Sequence, residues 1–281
     1  MLVCKLAQGV SDIIRIEQEG FEASTLKRAP WYQKHNGEDV QYAVCPACDN
    51  PIQIIALYKR SKHSPRAHGR HVPRTIAGLA EYRQENYDNC IYANPNITLD
   101  RSNLLPEGNR KAEELLLFLR DNFDIVTKIV QNDIGIVFTE GLARSMLSSF
   151  LSMRGHCYIG TNMCNLPWMF AYMTTHQNLY GRRLLPWHPL HNALSRQEGI
   201  FFEYNQVKAK RFVDLGFCFI EHKIRPMPDA RETIQFVVAL ESNTIFKREI
   251  VIRPLLLQER LHNTHERNDI LLNIAKELID I

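Results

Sequence analysis

The chain has 281 residues, 45% hydrophobic and 23% charged, with a formal net charge of +3 at neutral pH. That length admits two domains and that composition builds a buried core, which excludes a disordered chain; so small a charge excludes nucleic-acid binding by the overall field of the molecule. No apolar run approaches the roughly 20 residues a bilayer span needs, and Asp12, Arg15, Glu17 and Glu19 interrupt the start too early for a secretory signal, so a cytoplasmic protein with no membrane partner is expected.

Residues 1–40 mix apolar and charged positions; 10–17 reads as a short strand or helical turn and 28–37 as a polar loop. From Tyr42 the chain enters Cys45-Pro46-Ala47-Cys48, and residues 51–58 are rich in β-branched and aromatic side chains. This predicts two strands wrapped around a Cys-x-x-Cys turn, a zinc-knuckle hairpin. The next segment, 59–74, carries Lys59, Arg60, Lys62, Arg66, Arg70 and Arg74 and no acid, while Pro65, Gly69 and Pro73 break any helix, so a basic loop is expected. Thr75 is placed to cap a helix running to about Asn86, with Cys90 just beyond its end, and Asn94-Pro95-Asn96 marks a boundary.

A helical region follows. Residues 110–122, 125–130 and 140–153 carry helical apolar spacing, the last capped by Thr139 and closed by Gly155, and a further helix starts near Pro167 with Asn165 as its cap. Beyond Pro186 and Pro189 the pattern changes to strands at 199–204, 211–224, 233–240 and 245–252, with a turn at 226–230. The chain ends on an amphipathic helix at about 268–279, whose Ile270, Leu271, Ile274 and Leu278 can cover that sheet. The expected class is α+β, in four parts: an N-terminal segment (1–40), a zinc-binding module (41–96), a helical region (97–182) and an antiparallel β region with its C-terminal helix (183–281).

The seven cysteines, at 4, 45, 48, 90, 157, 164 and 218, are an odd set that suits reduced thiols better than a disulfide framework. Cys45 and Cys48 can chelate one metal ion, and His63, His68, His71 and Cys90 offer the remaining ligands. The spacing resembles a Cys2His2 finger, but Pro65 and Gly69 deny the two histidines a common helix. Cys45, Cys48, His71 and Cys90 are therefore the expected set, because His71 and Cys90 flank the predicted helix; His68 or His63 is the alternative to His71. Four protein ligands leave no site for water, so the zinc is expected to be structural. A Cys-x-x-Cys knuckle before a hairpin and a short helix resembles the treble-clef type of zinc module, over about 50 residues. That resemblance implies nucleic-acid binding, nuclease chemistry or protein docking, without choosing among them.

Lys59, Arg60, Lys62, Arg66, Arg70 and Arg74, held by a metal site, can contact successive phosphates of DNA or RNA, with Tyr58 and Tyr82 placed to stack on bases. The competing reading is a solvated face balanced by Glu81, Glu85 and Asp88. The leading expectation is a non-enzymatic zinc protein that binds nucleic acid through this loop, as an accessory subunit of a larger complex. A second reading is a Mg²⁺-dependent nuclease: Glu221 and Lys223 share one strand face and resemble the Glu-x-Lys half of restriction-type sites, with Asp214 upstream and Gln235 on the next strand. A third is a zinc-stabilised docking module for a protein partner. His156, Cys157 and Cys164 read as packing residues, and 187–191 as a proline-bounded loop.

Overall fold

The computed structural model describes residues 1–93 and 99–280, so the boundary expected at Asn94-Pro95-Asn96 lies outside the described residues. The first part of the chain builds a four-stranded antiparallel sheet with its own small core. β1 (Val3–Cys4) pairs with β2 (Ile14–Arg15), and α1 (Gln18–Thr25) follows. The segment read as a polar loop instead holds β3 (Tyr32–His35), which pairs with β4 (Glu38–Val44). β5 (Pro51–Ile55) returns beside β4 with Val44 opposite Pro51, so the knuckle hairpin forms where the pattern placed it. Proline opens β5, the strand position where a missing N–H is best tolerated.

The basic segment is not loop throughout, because β6 (His68–His71) pairs with β5 and completes the order β3-β4-β5-β6. Gly69 permits this: a Cβ there would stand 2.5 Å from Ile52 Cδ1. The helix expected from Thr75 is corrected. Ile76 and Ala80 close a tight loop through mutual backbone hydrogen bonds around Gly78, which is at φ +74°. Ile76, Leu79 and Ala80 are drawn down onto Tyr42 and Val44, and the helix between Thr75 and Cys90 is only the short α2 (Gln84–Asp88).

The rest of the chain shares one large core. α3 (Arg110–Asp121) is capped by Asn109 and buries Ala112, Leu115 and Leu119; α4 (Phe123–Ile134) is buried along most of its length and stops at Gly135, φ 75°. α5 (Glu140–Ser152) starts where the Thr139 side chain accepts from Leu142 N–H, and every residue of α6 (Leu166–Tyr172) is buried. β7 (Gln177–Asn178) leads to α7 (Pro189–Ser195), a helix in the stretch read as a loop, with Pro189 in its first turn. β8 (Ile200–Glu203) and β9 (Gln206–Ala209) form a hairpin.

β10 (Leu215–Arg225), β11 (Arg231–Leu240) and β12 (Asn243–Val251) form an antiparallel meander in the order β12-β11-β10-β7. Glu241 and Ser242, both at positive φ, make the two-residue turn between β11 and β12. α8 (Leu256–Asn263) and α9 (Asp269–Leu278) end the described chain. The expectation that α9 covers the sheet is corrected. It packs on α3, α4 and α5 through buried Leu271, Ile274 and Ala275 and leaves Ile270 exposed, while α6 lies against β10 and α7 against β12. The result is a mixed α+β protein with antiparallel sheets, and no helix among the described residues is long and apolar enough to cross a membrane.

Candidate metal centre

β4 ends at Val44 and the chain folds into a tight turn in which Cys45 N–H donates to Asn50 O and Asp49 N–H to Cys45 O. Asp49 takes positive φ, 59°, and its carboxylate pairs with the buried Lys5 amine. Asn50 locks a distant segment onto the turn: its side chain donates to Arg83 O at 3.0 Å and accepts from Arg83 N–H at 2.7 Å. Asn86 adds a bond to Cys48 O at 3.2 Å. These contacts set the start of α2 against the knuckle, and one turn later Cys90 N–H bonds to Tyr87 O, which brings its thiol inward. The fourth group arrives on β6, whose last residue is His71.

Cys45, Cys48, His71 and Cys90 thus converge, with all four donor atoms within 4.8 Å of one another. Cys45 Sγ lies 3.8 Å from Cys90 Sγ; His71 Nε2 lies 3.3 Å from Cys48 Sγ and 3.7 Å from Cys90 Sγ. A tetrahedral ion with metal–sulfur bonds of about 2.3 Å and metal–nitrogen bonds of about 2.0 Å separates its ligands by about 3.5 to 3.8 Å. The cluster therefore fits one metal ion. The alternatives separate cleanly: His63 is exposed, and His68 is held to Arg66 O through Nδ1 at 3.1 Å. His71 ends a strand rather than preceding a helix, a departure from the module the sequence resembles.

The electrostatics of the thiols agree with a cation site. Burial works to raise the Cys45 thiol, but hydrogen bonds from Cys48 and Cys90 and the nearby His71 hold it well below the ordinary range. Cys48 is pushed up first by its hydrogen bond to Cys45, as is Cys90, with burial adding to both. Ionising one of three thiols packed this closely works against ionising the others, and a divalent cation would let all three ionise. Cys4, behind the cluster in the same small core, is pushed up to about 12 by burial and then by the charge on Cys45, and is not among the converging donors.

Lys59, Arg60, Lys62, Arg66, Arg70 and Arg74 are all exposed, and none forms a salt bridge among the described residues. Two of the three acids expected to balance them are engaged elsewhere: Glu81 pairs with Arg83, and Asp88 accepts from Gln84. Arg74 donates to Tyr42 Oη at 2.7 Å and lies over its ring, and Arg66 reaches Pro228 O at 3.2 Å. Tyr58 remains 47% exposed with its hydroxyl on Tyr32, whereas Tyr82 is half-buried and donates to Gln84.

The nuclease constellation does not assemble. Glu221 sits at a register shift in β10, at φ 56°, and is clamped by Lys223 at 2.7 Å and Lys247 at 3.7 Å. Asp214 precedes the other end of the strand, where its carbonyl accepts from Glu241 N–H, and Gln235 is bonded to Glu249. Cys157 packs with Leu105 and Ala112, and Cys164 with Val3 and Ile13, as packing residues should.

Two features escaped the sequence reading. His222, between the two residues singled out, points inward and is buried beside Glu232. Glu232 Oε1 accepts from His222 Nε2 and Asn165 Nδ2, at 2.8 and 2.6 Å, and Oε2 accepts from Tyr92 Oη at 2.7 Å. On the other side of the ring, His222 Nδ1 is hydrogen-bonded with the Tyr158 hydroxyl at 2.9 Å. The alternation of a strand was the available signal: if Glu221 and Lys223 face out, His222 faces in. The second feature is a cleft of about 970 Å³ between the metal module and the C-terminal sheet, lined by His71, Arg66 and Arg70 on one side and Arg225 and Arg231 on the other.

Comparison with known proteins returns no match to this chain among family models, curated proteins or solved structures.

Proposed function

We propose that this chain is a zinc-stabilised protein that binds nucleic acid through the cationic segment between β5 and the metal cluster. The observation that carries the reading is the anchoring of that segment. It leaves β5 at Ile55 and returns as β6, and β6 ends on His71 inside the cluster. Lys59, Arg60 and Lys62 are exposed between these anchors with no carboxylate partner among the described residues. A cationic loop tethered at both ends meets a phosphate backbone at a lower entropic cost than a free one.

Three thiolates and one imidazole are a donor set suited to zinc, and four protein ligands make the ion structural rather than catalytic. Elemental analysis of the purified protein tests the metal, with one zinc per chain expected. Fluorescence anisotropy with labelled single-stranded and duplex oligonucleotides tests the binding. Affinity should fall with salt, and Lys59→Ala/Arg60→Ala/Lys62→Ala should reduce the salt slope by about 2 to 3. Binding that is indifferent to salt, or unchanged in the triple variant, removes the nucleic-acid reading while leaving the metal centre intact.

A further inference from the structure

The cleft between the metal module and the C-terminal sheet carries more positive charge than its surroundings compensate. Six arginines line it, Arg15, Arg66, Arg70, Arg225, Arg231 and Arg253, against three carboxylates, Asp229, Glu232 and Glu259. Glu232 is turned inward, with both oxygens occupied by Tyr92, Asn165 and His222. Arg253 is also turned away, bonded to both oxygens of Asp133 at 2.7 and 2.8 Å.

What remains is an unbalanced set at the mouth. Arg225 and Arg231 are register partners at the end of the β10–β11 hairpin. Like charges directly opposite on neighbouring strands destabilise a sheet. Arg231 has only Glu249 at 3.8 Å to offset this, and Arg225 has no carboxylate partner among the described residues. From the facing wall, Arg66 reaches across to Pro228 O in the same hairpin turn, and Arg70 is exposed on β6 without an acid. A repulsive arrangement held on two rigid sheets is relieved by an anion that accepts from several guanidinium groups at once. The lining also includes apolar and aromatic side chains, Ile224, Met227, Ile252, Leu255, Tyr87 and Tyr92, and the volume lies within the usual range for small-molecule sites of about 300–1,000 Å³.

We infer that this cleft is a binding site for a nucleoside phosphate, with the phosphoryl group on Arg66, Arg70 and Arg225 and the base and sugar against the apolar lining. The ligand is either a free nucleotide or the phosphorylated end of a strand. The site shares Arg66 and Arg70 with the cationic segment but is distinct from Lys59, Arg60 and Lys62, which do not line the cleft.

The test is calorimetric titration of the metal-loaded full chain with adenosine 5′-monophosphate, adenosine and inorganic phosphate, and with a short oligonucleotide bearing a 5′-phosphate or a 5′-hydroxyl. The monophosphate should bind at least about tenfold more tightly than adenosine, and Arg225→Ala and Arg70→Ala should each weaken it about tenfold, with unchanged melting temperatures because both residues are exposed. Binding of the mononucleotide identifies a free-nucleotide site; binding only of the 5′-phosphorylated oligonucleotide identifies a strand-end site. The inference is overturned if neither binds, if adenosine binds as well as its phosphate, or if Arg225→Ala and Arg70→Ala have no effect. It is equally overturned if Lys59→Ala/Arg60→Ala/Lys62→Ala abolishes mononucleotide binding, since the loop would then be the site. Loss of polymer binding in that triple variant, with mononucleotide binding retained, keeps the two proposals distinct.

Discussion

The metal module and the helix-and-sheet body are stabilised by different means. The body buries a continuous apolar core in which Phe123, Phe150 and Phe170 of the helices and Phe217, Phe219 and Phe236 of the sheet are all shielded from solvent. The module buries Cys4, Cys45, Cys48 and Cys90 among few large apolar side chains, chiefly Phe21, Ile16, Ile52 and Ile54. A core that small supplies little hydrophobic free energy, and small domains of this kind depend on a metal or on cross-links. The body can hold its shape by packing; on the proposed reading, the module depends on an ion that joins Cys45, Cys48, His71 and Cys90.

Removing the metal is the strongest way to break this contrast. Ion binding at such a site is worth about 10–16 kcal/mol, so a chelator, or Cys48→Ser, should abolish hydrogen-exchange protection in residues 1–93 while α4, α5 and β11 keep theirs. Equal loss in both regions would show that the body, too, depends on the module. The reciprocal experiment acts on the body. Phe236→Ala, at a fully buried position in β11, should cost about 3–5 kcal/mol in denaturant unfolding with the zinc content unchanged.

A smaller effect tests how the two regions are joined. Tyr92, two residues past Cys90, donates to Oε2 of Glu232 in β11, and Tyr92→Phe removes that bond and strips Oε2 of its donor, while Asn165 and His222 still bond Oε1. The expected cost is about 2 kcal/mol, read as separation of one unfolding transition into two.

The smallest effect is confined to the body and depends on pH. Burial works to raise Asp124, but Arg267 at 2.8 Å and the Asn268 N–H hold its carboxyl below the usual carboxylate range. A carboxyl depressed by folding stabilises fully above its unfolded value of about 4 and loses that contribution as pH falls through its folded value. Arg267→Gln should therefore lower stability by about 1–2 kcal/mol near neutrality and flatten the acid limb below pH of about 4, measured by urea unfolding across pH.

Legibility followed how local the determining physics was. Caps are local: Thr139 accepts from Leu142 N–H at the start of α5 as expected, and in the structure Asn109 and Asn268 do the same for α3 and α9. The metal ligands were legible for a similar reason: a Cys-x-x-Cys turn constrains itself, and Pro65 and Gly69 removed the finger geometry that would have favoured another histidine. Thr75 shows the limit. Its hydroxyl suits a helix cap, yet it accepts from Tyr82 N–H, because burial of Ile76 and Leu79 against Tyr42 and Val44 outweighed local propensity. Asn165 shows the same override: it stands at the N-cap of α6 without capping it, and spends its amide on Glu232 and Gly160 O.

By itself the amino-acid sequence determined the knuckle, the four side chains that could hold an ion, the cationic segment and the positions of most helices and strands, because each depends on spacing, side-chain type or backbone restriction within a short stretch. Only the tertiary structure decided that β6 carries His71 into the cluster, that Glu221 sits at the register shift inside β10 while Asp214 precedes its start, and that Arg66 and Arg70 face Arg225 across a cleft. The last of these joins residues more than 150 positions apart, and all three depend on sheet pairing and packing that no local pattern encodes.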